Sequence, residues 1–318
     1  MNCIICDKTA DEVGSHLIPA SLIKNCVGER DKEESYNIDS KNSNVSVYFG
    51  RANSKNTSTE IKPNDYARDY VLCKICEKKL GLLESKFATE FLQKFREDKY
   101  SNNFNSYIST QKYEIFEPKR VTNIEVQAYF YSIILRFCSV YKLEDGDSYI
   151  DEKDLLKIKK FVSSFLYDNV TEMVEIEDYR MLINFNKYSV KSKFIATNNQ
   201  IKNPYIFYFC EAIVILFTKN LDEQEAFLFE ELTNSIKANS CKIIVGPEEF
   251  YDSFSKKIAD ILAKEFITNG VNFITKLNNK TYVENLIEVN NLIKKYKKEN
   301  IKVYIAEIFN ELNKKYSS

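Results

Sequence analysis

The chain has 318 residues, 44% hydrophobic and 14% aromatic, enough apolar material for a buried core and too much for global disorder. Its 45 Lys and Arg against 46 Asp and Glu leave a formal charge of −1. A nucleic-acid partner must therefore be met by a local basic surface, not by the field of the whole molecule.

A cysteine pair stands where the apolar segment of a signal peptide would lie. The most apolar stretch, 206–217, is too short to span a bilayer and contains Glu211. The expectation is a cytoplasmic chain with no membrane partner.

The first element is a short turn holding Cys3 and Cys6. Gly14-Ser15-His16-Leu17-Ile18-Pro19 follows, then a short helix at 20–26. From about 28 to 66 the chain is polar and rich in Asn, Ser and Lys, which predicts a surface excursion with one strand candidate, 45–49. A short apolar run, 70–73, ends on the second cysteine pair. The stretch 77–97 then has helical periodicity, with Leu80, Leu83, Phe87, Phe91 and Phe95 on one stripe.

Farther on, 124–141 reads as an apolar helix, and Asp151 is placed to cap a helix reaching about 169. The period then switches to two, predicting strands at 179–185, 190–196 and 206–217. A helix is expected at 223–237, a buried strand at 241–245, and a further helix opened by Pro247. Two helices, 282–298 and 301–315, complete the series.

Of the eight cysteines, four form the CxxC pairs Cys3/Cys6 and Cys73/Cys76. Cys138, Cys210 and Cys241 sit in apolar runs and read as small core residues; Cys26 is the remaining one. A two-residue spacer lets both sulfurs of a pair face one ion, and two pairs complete the tetrahedral shell that zinc prefers. The second pair sits at the start of a helix, where the dipole favours thiolate. The alternatives are a redox-active pair, which needs a βαβ context, and chance core cysteines, although neither pair lies in an apolar run. The fold class is thus α+β. A zinc-stapled module occupies 1–105, with the polar insertion at about 28–66, and a larger mixed α/β domain occupies 106–318.

His16 is the only histidine. It falls between the two halves of the metal site, and its unperturbed pKa suits proton removal from water near neutral pH. Lys74, Lys78, Lys79 and Arg68 are the basic side chains flanking this region and the candidates for phosphate contact. The run 294–298, rich in lysine, reads as an amphipathic surface.

The combination of a CxxC pair, Ser15-His16-Leu17-Ile18-Pro19, and Leu72-Cys73-Lys74-Ile75-Cys76-Glu77 opening a helix resembles the HNH endonuclease family. The likeness is to the variety whose ββα-metal, treble-clef fold is held by a four-cysteine structural zinc, and it covers about residues 1–95. It is closest to a subgroup with a long second domain, found among phage-defence and mobile-element proteins.

The resemblance implies a metal-dependent endonuclease with His16 as general base and a catalytic Mg²⁺ or Mn²⁺ separate from the zinc. Glu77 aligns with one ligand of that ion. Ser15 aligns with the other, where the family carries an acid or histidine. Glu12 and Asp11, just upstream, are the candidate substitutes. Glu84 shares a helix face with Glu77 but about 10 Å away, too far for one ion to span both, and is read as orienting a partner or pairing with a lysine. Asn44 or Asn64 matches the family's bracing asparagine. The substrate implied is DNA before RNA, and a companion protein or a second copy of the chain is the implied partner. Two other readings stand beside this one: a degenerate zinc module that binds nucleic acid or protein without cutting, and a redox or unrelated zinc enzyme. A four-cysteine zinc has no open position for catalysis, which weighs against the last.

Overall fold

The computed structural model describes residues 1–27, 34–38, 45–49, 67–109, 114–145, 148–167, 179–187, 194–197, 204–218, 240–298 and 305–317. By packing, the chain divides into Met1–Ser253 and Phe254–Ser318. The boundary expected near 105 lies within the first of these units, and buried residues on both sides of it share one cluster. Ile5, Leu17, Leu22, Leu72 and Leu80 belong to the same buried cluster as Phe130, Ile183 and Val214.

Strands β1 (Ser15–His16) and β4 (Ala67–Arg68) form a small antiparallel pair, with Ser15 opposite Arg68 and His16 opposite Ala67. Helix α1 (Ala20–Val27) follows β1, and α2 (Lys74–Phe87) follows β4. The α2 stripe was expected to run unbroken to about 97. It continues instead as a wider π turn, Ala88–Leu92. Four residues overshoot an α-helical turn by about 40°, and the wider turn takes up that drift. Phe87, Phe91 and Phe95 therefore all face the core, where Phe87 stacks on Tyr129 at 4.2 Å and Phe91 meets Phe185 at 5.2 Å.

The first unit also holds a nine-stranded sheet in the order β3-β2-β8-β9-β10-β7-β11-β6-β5. Its strands are β2 (Glu34–Ile38), β3 (Val45–Phe49), β5 (Phe104–Ser109), β6 (Glu114–Pro118), β7 (Arg180–Asn186), β8 (Phe194–Thr197), β9 (Tyr205–Phe209), β10 (Ala212–Phe217) and β11 (Ser240–Gly246). The pairs β7–β11 and β2–β8 are parallel and the rest antiparallel. The insertion at 28–66 thus supplies two strands to the sheet, where a surface excursion with one strand candidate was expected.

The apolar run at 206–217 is a hairpin rather than one strand. Cys210 and Glu211 form its two-residue turn, with Cys210 at φ +54°. Buried Glu211 is held there by Arg96, Nη1 to Oε2 at 3.0 Å. Cys138, Cys210 and Cys241 are buried, as their apolar settings required.

Helix α3 (Asn123–Asp145) is buried along most of its length and packs against α2, α4 (Glu152–Leu166) and β11. It opens with a reciprocal cap: Thr122 N donates to Glu125 Oε2 at 2.8 Å, and Glu125 N to Thr122 Oγ1 at 3.3 Å. Asp151 precedes α4 as expected, although its side chain makes no capping bond.

The second unit is helical. It takes in most of α5 (Glu248–Leu277), then α6 (Tyr282–Lys298) and α7 (Ile305–Ser317), around Val271, Ile274, Val289, Ile308 and Leu312. The expected helix at 223–237, Asn44, Asn64 and the side chain of Cys26 lie outside the described residues.

Candidate functional site

The first cysteine pair sits in a tight turn. Cys3 N donates to Lys8 O at 2.6 Å, Asp7 N to Cys3 O at 3.0 Å, and Asp7 takes a left-handed φ of 60° to close it. The second pair begins α2: Cys73 is the N-cap residue, with extended φ and ψ, and Cys76 lies in the first turn. The halves are joined by backbone bonds, Ile4 N to Val71 O at 3.2 Å and Glu12 N to Leu72 O at 3.1 Å. Asp11 Oδ1 accepts from Lys74 N at 2.9 Å, satisfying a helix-start amide from a distant segment.

The four Sγ atoms lie within 4.8 Å of one another, and Cys6 and Cys73 are 3.6 Å apart. A zinc ion with bonds of about 2.3 Å sets tetrahedral sulfur–sulfur edges of about 3.8 Å, so the cluster fits such an ion. The thiols share protons unequally. A hydrogen bond with Cys76 holds Cys3 far below the usual thiol range, at about 4, and raises Cys76, while burial raises Cys73. A dication is what allows all four to ionise together.

Two further contacts join the cluster to α4 and the residue beyond it. Lys159 Nζ pairs with Asp7 Oδ1 at 2.6 Å, and the Tyr167 hydroxyl lies 3.4 Å from Cys76 Sγ.

Beside the cysteines, β1 and the first turn of α2 bring Ser15 near Glu77, and His16 is the next residue of β1, half-buried where Ser15 is buried. Ser15 is fully buried, and among the described residues neither its Oγ nor Glu77 Oε2 has a hydrogen-bond partner. Burial raises the Glu77 carboxyl, the Arg136 charge lowers it, and Glu84 and Glu12 raise it further. The Ser15 hydroxyl is near enough to lower it as well, although the two groups complete no hydrogen bond.

The remaining sequence-predicted residues divide. Glu84 is bonded to Arg136 at 2.6 Å and does not face the Ser15–Glu77 gap as a free ligand. Glu12 is half-buried, and its main chain bridges Tyr70 and Leu72. Arg68 is bidentate to Glu144, at 2.6 and 3.0 Å. Lys79 donates to Leu166 O at 2.5 Å with its ammonium 4.2 Å from the Tyr167 ring centroid. These two of the four nominated cations are thus engaged within the fold, while Lys74 and Lys78 are exposed.

Sequence reasoning missed Arg136, read only as part of the apolar run Leu135-Arg136-Phe137-Cys138, and Tyr167. An arginine inside a continuous apolar helix was itself a signal, since such a charge is seldom buried without a partner.

No protein-family model matches the chain, and no curated protein or solved structure matches it either. Among the described residues no helix is long and apolar enough to cross a membrane.

Proposed function

We propose that the chain is a metal-dependent nuclease of HNH type that cleaves phosphodiester bonds in DNA before RNA. The observation that carries this reading is the pair of buried oxygens, Ser15 Oγ and Glu77 Oε2, that find no hydrogen-bond partner among the described residues, with His16 the residue after Ser15 in β1. Leaving buried polar oxygens unpaired costs about 1–3 kcal/mol each, so such a pair calls for something to bind. A hard divalent cation fits an ionised carboxylate and a hydroxyl.

The element order supports the same reading. The antiparallel pair β1–β4 leads into α2, with a four-cysteine cluster at the junction, which is the order of a ββα-metal module. The cysteines hold the fold, and the chemistry falls to the polar groups beside them.

In this scheme Glu77 supplies the charge that holds Mg²⁺ or Mn²⁺, Ser15 adds a neutral oxygen, and Glu12 is the further carboxylate close enough to act on Glu77. The cation would neutralise charge developing on the phosphate. His16 takes the proton from the attacking water. A cytoplasmic defence effector with a companion protein or a second copy as partner is the context we assign to it.

One observation favours the second reading, a zinc module that binds nucleic acid or protein without cutting. With Arg68 and Lys79 engaged internally, Lys74 and Lys78 are the nominated cations left exposed for phosphate. Incubating zinc-loaded protein with supercoiled plasmid and with structured RNA, with and without Mg²⁺ or Mn²⁺, separates the two. Cation-dependent nicking supports the nuclease; retention of substrate on the protein with no cleavage in any cation supports the binding module.

A further inference from the structure

Arg136 is 1% exposed in a helix that is otherwise almost wholly apolar at its centre. Burying a guanidinium is costly unless its donors are satisfied. Nε donates to Ser132 O at 3.1 Å, one turn back. Nη2 donates to Glu84 Oε1 at 2.6 Å and to Ser132 Oγ at 3.3 Å. Nη1 donates to the backbone carbonyl of His16 at 2.5 Å.

Three segments far apart in the sequence, β1, α2 and α3, are therefore fastened at one planar group. The tie matters most for β1, which is two residues long and is paired with an equally short β4. So short a ladder does little to fix the main chain at His16, and the guanidinium adds a bond to its carbonyl from α3.

We propose that Arg136 is the positioning residue of the site: it fixes the main chain at His16 from α3, which makes α3 part of the active site and the cysteine-held hairpin alone insufficient. For its kinetic consequence this inference rests on the nuclease reading; the geometric tie does not.

Because His16 is the only histidine, protein labelled with ¹⁵N-histidine reports one imidazole, with no assignment needed. The variant to compare is Arg136→Met combined with Glu84→Leu. It removes both charges together, a swap that buried ion pairs tolerate, while abolishing the tie to His16. Zinc content and melting temperature show that the variant is folded.

The expected result is one sharp imidazole signal in the wild type and a displaced or exchange-broadened one in the variant. The kcat for cleavage should fall about 10- to 100-fold with KM within about twofold, as for a misplaced catalytic group. Arg136→Lys keeps the charge but not the planar fork, and should displace the signal with a smaller loss of kcat. It decides the question if the double variant does not fold.

A wild-type imidazole signal in a folded variant overturns the proposal whatever happens to the rate, and so does failure of both variants to fold, which would make Arg136 purely structural. A displaced signal with no cleavage even by the wild type leaves the tie standing and overturns the nuclease reading instead.

Discussion

The Tyr167 hydroxyl stands 3.4 Å from the sulfur of Cys76, and the Lys79 ammonium lies over the same tyrosine ring. With Cys76 ionised on a metal, the phenol is the donor, and the cation over its ring makes it a stronger one. Outer partners of this kind are typically worth about 10- to 100-fold in metal affinity. Tyr167→Phe should therefore still bind one zinc but yield it to a chromogenic chelator at least about tenfold more readily. Affinity equal to the wild type would show that the contact has no bearing on the metal.

The cysteine cluster shares one continuous core with the sheet, so losing the metal should reach beyond the N-terminal turn. Cys73→Ser is expected to lower bound zinc well below one per chain and to lower the melting temperature of the first unit, followed by circular dichroism. Chelator treatment of the wild type should reproduce the shift. A folded, metal-free protein with the same melting temperature would remove the structural role assigned to the ion.

Much of this arrangement was legible in the residues. The repeated CxxC spacing marked the four-cysteine cluster, since a two-residue spacer lets both sulfurs of a pair face one ion, although packing between distant segments brings the two pairs together. Helix α6 spans the range its periodicity predicted, 282–298, and begins with Thr281 and Glu284 bonded reciprocally as a cap.

What escaped was set by contacts between distant segments or by turns without turn residues. Cys210-Glu211 carries none of the Gly, Asn or Asp that marks a tight hairpin, so β9 and β10 read as one run. The turn is stabilised through Glu211 by Arg96, more than a hundred residues away. Arg68 and Lys79 looked like phosphate ligands because their partners, Glu144 and the end of α4, are invisible to local sequence.

Asp154, in the first turn of α4, is buried and accepts hydrogen bonds from Tyr179 at 2.6 Å and Tyr205 at 2.8 Å. Burial first, and then these bonds to a carboxylate, push both phenols far above their usual range. A group whose pKa is raised on folding contributes stability below its unfolded value, here about 10, and loses it as the pH climbs above that. Urea midpoints should hold from pH 8 to about 9.5 and fall above about 10. In Asp154→Asn the unfolding free energy at pH 8 should be lower by about 1.5–3 kcal/mol, the worth of a hydrogen bond to a charged group, with the midpoint falling accordingly. A midpoint unchanged in that variant would show that the carboxylate is not holding the two tyrosines.

Gly270, in α5, has the Phe309 ring of α7 where a side chain would begin. Any Cβ there must displace the ring, and overpacking of this kind costs about 1–3 kcal/mol. Gly270→Ala should destabilise the helical unit by that amount. Adding Phe309→Leu should recover part of the loss, read as a favourable coupling in a double-mutant cycle of thermal melts. Strictly additive effects would contradict the close approach of the two helices.

The central proposal is that His16 and Glu77 carry phosphodiester chemistry while the cysteines only hold the fold. The most direct measurement is the rate of plasmid nicking in Mg²⁺ or Mn²⁺ by wild type, His16→Ala and Glu77→Gln, each brought to the same zinc content. The account predicts cation-dependent nicking by the wild type and a loss of at least about 100-fold in His16→Ala, the usual worth of a general base, with zinc content and melting temperature unchanged. A wild type that nicks no faster than His16→Ala would contradict it.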